Sequence, residues 1–102
     1  MEGIYVYDLK AGDVVEVTAE NRVYTLKILG PKNCSVELSS NYGAFVKPAN
    51  YCLMGSFVVD GGYLTVEAGW IGVGFRLVFS PPLVLSYTQK ILVNGKTVFP
   101  KE

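Results

Sequence analysis

The sequence predicts an all-β fold. It reads as a single small antiparallel β-sandwich or partly closed β-barrel of about eight or nine strands, with little or no helix. Three observations carry this. Turn signals recur at nearly even spacing, at Ala11-Gly12-Asp13, Glu20-Asn21, Gly30-Pro31-Lys32-Asn33, Asn41-Tyr42-Gly43, Asp60-Gly61-Gly62 and Asn94-Gly95. The runs between them alternate apolar with polar, the period of a half-buried strand. No window keeps a 3.6-residue period between helix caps, and the strong helix formers never cluster.

Ile4 to Tyr7 is a short first run. In the second, Val15 and Val17 share one face while Glu16 and Thr18 share the other. Across Glu20-Asn21, Tyr24, Leu26 and Ile28 point inward against Val23, Thr25 and Lys27, so the two runs read as a hairpin. Cys34, Val36 and Leu38 alternate with Ser35, Glu37 and Ser39, which predicts a strand with one wet side. Phe45-Val46-Lys47, stopped by Pro48, suits a sheet edge, with room for one helical turn between Gly43 and Pro48.

Tyr51 to Val59 is almost wholly apolar. Such a run fits a strand buried on both faces, or one with its second face in an oligomer contact. Asp60-Gly61-Gly62 turns the chain into Tyr63–Glu67, with Leu64 and Val66 inward. Trp70 to Ser80 reads as the longest strand, ended by Pro81-Pro82. Leu83 to Tyr87 and Ile91 to Val93 follow, and Asn94-Gly95 favours a two-residue turn into Thr97-Val98-Phe99.

The 102 residues suffice for one domain, taken as residues 1–102. Half the residues are hydrophobic and 18% are charged, below the usual ~25%. That balance points to apolar surface covered by another copy or by a different protein partner, or to a large closed interior. Nine basic and nine acidic residues cancel and are mixed along the chain. No basic patch marks a nucleic-acid or membrane-surface partner. The N-terminus opens on Glu2 with Asp8 and Lys10 close behind, so no signal peptide is expected and the chain reads as cytoplasmic. Cys34 and Cys52 form no CxxC pair and are expected as reduced, buried thiols.

The sequence contains no histidine. That removes Ser-His-Asp and Cys-His catalysis and most zinc and iron sites. Asp8, Asp13, Glu16 and Glu20 lack the spacing of a carboxylate catalyst or a calcium loop, and read as solvated charges. An enzyme is therefore not expected, and no catalytic residue, metal ligand or cofactor is assigned.

Trp70-x-Gly72-x-Gly74-x-Arg76 is the most unusual local pattern. On one continuous strand these four side chains share a face. Trp70 and Arg76 would then flank a shallow trough cleared by Gly72 and Gly74, suited to a sugar ring or flat ligand. The structural alternative is a bend, or an aromatic ring lying over the glycines. The leading expectation is a non-enzymatic binding or assembly module that self-associates, with Leu53, Phe57, Trp70 and Val78 as contacts. A carbohydrate or small-ligand binding domain and a virion- or phage-type structural subunit are the alternatives.

Overall fold

The computed structural model describes residues 2–101, and every side chain in that range except that of Ala44. Among the described residues there are eleven strands: β1 (Gly3–Tyr5), β2 (Val14–Ala19), β3 (Arg22–Gly30), β4 (Ser35–Ser40), β5 (Ala49–Asp60), β6 (Tyr63–Ala68), β7 (Trp70–Gly72), β8 (Arg76–Ser80), β9 (Leu83–Tyr87), β10 (Lys90–Val93) and β11 (Lys96–Phe99). All pairings are antiparallel. The large sheet runs β11-β10-β2-β3-β4-β5-β8-β9, with β6 added beside β5, and β1 pairs β7 in a small second sheet. The large sheet does not close, so the arrangement is a sandwich and not a barrel.

Alternation places the interior. Val15 and Val17 of β2, Leu26 and Ile28 of β3, and Val36 and Leu38 of β4 are fully buried and gather with Leu77 and Phe79 of β8, Ile71 of β7 and Ile91 of β10 in one apolar cluster. Each such side chain is worth roughly 1.5–3 kcal/mol over leaving it in water. Glu16, Thr18, Lys27 and Glu37 lie on the wetter side, as the period of two requires.

Three hairpins turn on two residues with positive φ. These are Glu20 (50°) with Asn21 (64°), Gly61 (58°) with Gly62 (85°), and Asn94 (51°) with Gly95 (80°). Two left-handed residues give the turn twist that matches right-twisted strands, which is why Asn and Gly dominate these positions. The flanking pairs Ala19↔Arg22, Asp60↔Tyr63 and Val93↔Lys96 close each loop at two residues.

Four segments differ from the sequence reading. The first run ends at Tyr5, and Val6–Asp8 form a 3-10 turn that buries Val6. Gly43–Val46 is the single helical turn for which the sequence left room, a 3-10 turn, so Phe45 and Val46 belong to no edge strand. Cys34 precedes β4 with φ of 58°, because the Asn33 side chain accepts the Ser35 N–H at 3.1 Å and folds the chain locally. Trp70–Ser80 is two strands. Gly74, at φ of 87°, turns the chain between β7 and β8, and its N–H donates to the Thr88 carbonyl at 2.8 Å.

Candidate functional site: the β5–β6 ribbon and its cleft

β5 is long enough to serve three partners. Its first residues, Ala49 to Cys52, pair β4; Cys52 to Ser56 pair β8; Gly55 to Asp60 pair β6. The register with β8 shifts between Leu53 and Gly55. Gly55 adopts φ of 143° and pairs both Ala68 and Val78, and a Cβ there would run into the Glu67 carbonyl. Only glycine fits that crossing.

Beyond Gly55, β5 and β6 form a two-stranded ribbon. Directly paired residues share a face. Phe57 with Val66 and Val59 with Leu64 make one face wholly apolar; Val58 with Thr65 and Asp60 with Tyr63 make the other. Every residue of β6 but Val66 is exposed. Val59 is 73% exposed, Leu64 66% and Tyr63 77%. Large apolar side chains clustered in the open mark a surface with a use or a liability. The apolar Tyr51 to Val59 run is thus split: Leu53 is buried within the chain and Val59 stands in solvent.

The apolar face of the ribbon forms one wall of a cleft of about 380 Å³. Phe57, Val59 and Leu64 line that wall, and Phe75, Arg76 and Tyr87 the other. Arg76 pairs Tyr87 across β8 and β9. Its Nε donates to the Leu85 carbonyl at 2.9 Å, and its guanidinium carbon lies 5.8 Å from the Tyr87 ring centre. The backbone bond through Nε orients the fork, and the terminal nitrogens remain donors suited to an anionic or hydroxyl-bearing group.

Of the four trough residues, Gly74 and Arg76 reach this cleft and Trp70 and Gly72 do not. Trp70 is 4% exposed, and its indole covers Gly72 and Gly3, where any Cβ would strike the ring. Phe75 and Tyr5 flank it at centroid distances of 5.2 and 6.5 Å. The indole fills the space that alternation leaves open. Of the four contact residues, Leu53, Trp70 and Val78 are buried in the single chain, and Phe57 alone lines the cleft. Sequence reasoning missed Leu64, Val59 and Tyr87. The signal available for the first two was a tight Asp60-Gly61-Gly62 turn joining two largely apolar runs.

The ribbon is tied to the body at its base. Tyr5 Oη donates to Glu67 Oε2 at 3.0 Å, and that carboxylate pushes the phenol's pKa above its ordinary value. Val6 N–H donates to the Gly69 carbonyl at 2.9 Å, and Tyr7 packs over Gly69. Both cysteines are free; Cys34 is buried, and Cys52, expected to be buried, is exposed. Burial pushes the Cys34 thiol up, away from the reactive thiolate. Among the described residues, no three or more His, Cys, Asp or Glu side chains gather as a metal site, and no helix is long and apolar enough to cross a membrane.

Compared with models of known protein families, with curated proteins and with solved structures, the chain matches none.

Proposed function

We propose that this protein is a non-enzymatic assembly module that binds a second copy of itself through the β5–β6 ribbon. The carrying observation is β6. Its outer edge pairs with no strand among the described residues, and its Tyr63 and Leu64 side chains stand in solvent. Edge strands left open are ordinarily protected by lysine, proline, a bulge or extreme shortness. β6 has six residues in unbroken register with β5, none of them lysine or proline, and its one charge, Glu67, is at its base and bonded to Tyr5. A formal net charge of zero removes the long-range repulsion that keeps copies apart.

Light scattering at micromolar concentration tests this reading. A particle of twice the 11.1 kDa chain mass is expected. Replacing Leu64 and Val59 together by lysine should return it to a monomer. A wild-type chain that is monomeric across the concentration series sinks the proposal.

A second reading rests on Arg76. A guanidinium set between Phe57, Phe75 and Tyr87 suits a small ligand with a flat apolar body and an anionic or hydroxyl-rich end, carbohydrate included. A thermal-shift screen of aryl carboxylates and glycans decides it. A stabilising hit abolished by Arg76→Ala supports ligand binding; a silent screen removes it.

A further inference from the structure

Resting on that self-association, we infer that the two copies join edge to edge through β6, antiparallel about a two-fold axis at Thr65.

The phase of the β5–β6 ladder determines which groups point outward. Gly69 N–H donates to the Met54 carbonyl at 3.0 Å, one step outside the Gly55↔Ala68 pair. That makes Gly55↔Ala68 a non-hydrogen-bonded pair, and pairs alternate from there. Ser56↔Glu67, Val58↔Thr65 and Asp60↔Tyr63 therefore exchange the ladder bonds. Leu64 and Val66 turn their N–H and C=O groups to the open edge. An occupant that satisfies them must itself offer a strand edge.

Side chains then select the register. Cross-strand partners share a face, so apolar meets apolar only when the axis passes through a residue and not between two. With the axis at Thr65, Leu64 of each copy opposes Val66 of the other and exchanges both backbone bonds with it. Tyr63 opposes Glu67, so no like charges meet. Moving the axis to Val66 drives Tyr63 of the second copy against Gly69, whose carbonyl already holds Val6 N–H and which Tyr7 covers. Moving it to Leu64 sets Val66 against the turn glycine Gly62. Thr65 is also the midpoint of the stretch between the Gly61-Gly62 turn and the Tyr5-bonded Glu67. The apolar faces of both ribbons then continue across one sheet.

The axis places the two Thr65 residues in a non-hydrogen-bonded pair, where facing Cβ atoms come closest and within reach of a disulfide. In a Cys52→Ser background, which removes the exposed native thiol, Thr65→Cys should oxidise to a disulfide-linked dimer at least tenfold faster than Glu67→Cys, whose copies would lie about four residues out of step. Val66→Pro removes an edge donor without touching the ladder to β5, and should give a folded monomer with unchanged Trp70 fluorescence. A dimer by light scattering whose cross-link forms faster at residue 67 than at 65, or a folded Val66→Pro variant that remains dimeric, overturns the register and leaves self-association standing. A wild-type monomer overturns both.

Discussion

Asn94 reaches back across most of the chain to hold Asp13. Its Nδ2 donates to Asp13 Oδ1 at 3.1 Å, while its Oδ1 accepts the Val14 N–H at 2.9 Å. The β10–β11 turn is thereby fastened to the entry of β2. Asp13 Oδ2 in turn accepts the Lys10 N–H at 2.9 Å. The backbone bond from Lys10, followed by the amide of Asn94, holds the Asp13 carboxyl below the usual carboxylate range.

A lowered folded-state pKa makes stability depend on pH in one direction. The contribution is complete above the unfolded value of ~3.9 and is lost as pH falls through the folded one. Asp13→Asn should therefore lower Tm at pH 7, and the gap to wild type should close in acid below about pH 4. Thermal melts between neutral pH and pH 2.5 check this. A gap that stays constant across the series removes the charge from the explanation.

Gly55→Ala should be among the most damaging single substitutions in the chain. A methyl there meets the Glu67 carbonyl, and φ of 143° is one that L side chains rarely adopt. Neither strand can shift without breaking pairs on both sides of β5. A loss above ~3 kcal/mol in urea denaturation is expected. A loss under ~1 kcal/mol would show that the crossing tolerates a side chain.

Ser56 bridges two layers. Its fully buried hydroxyl donates to the Trp70 carbonyl at 2.7 Å and accepts the Gly72 N–H at 3.2 Å. Ser56→Ala strands both backbone groups in the interior, and should cost about 1–3 kcal/mol. Trp70 is the only tryptophan and is buried beside the lesion, so its fluorescence reports the transition. Ser56→Cys, a weaker donor of similar size, should fall between the two.

Thr88 presents the opposite case. It is 1% exposed, and its Oγ1 has no hydrogen-bond partner among the described residues, although its backbone binds Gly74 and Phe75. A desolvated hydroxyl with no partner is a cost, and valine has nearly the same shape. Thr88→Val should leave stability unchanged or raise it by up to about 1 kcal/mol in the same urea assay. A clear loss would mean that the hydroxyl is satisfied in solution by an ordered water.

Much of the fold was legible because period and turn chemistry are local. Val15, Val17, Leu26 and Val36 are inward as alternation requires, and Asn94-Gly95 forms the turn its φ preferences favour. The break at Gly74 was hidden. Ile71, Val73, Phe75, Leu77 and Phe79 alternate straight through it, and only pairing of β7 with β1, remote in sequence, shows why the chain turns there. The site was legible in part. Arg76 lines the cleft, but Trp70 is consumed by packing on Gly3 and Gly72. Composition announced uncovered apolar surface without locating it. Leu53 and Val78, beside the Gly55 crossing, are buried, whereas Leu64, read as inward, stands in solvent.

The neighbour of β2 on its outer side is β10, some seventy residues later in the chain. That separation orders events in time. Hairpins β2–β3 and β3–β4 assemble from adjacent segments, and their closure is quick. The remaining edge of β2 waits until Lys90 to Val93 have been synthesised and the Asn94 turn has docked on Asp13. A nascent chain lacking those residues carries Val15, Val17 and Ile28 beneath an unfinished sheet, exposed to association with other unfinished chains. The last hairpin thus closes the β2 edge through contacts far apart in sequence, the kind whose loop-closure cost slows folding.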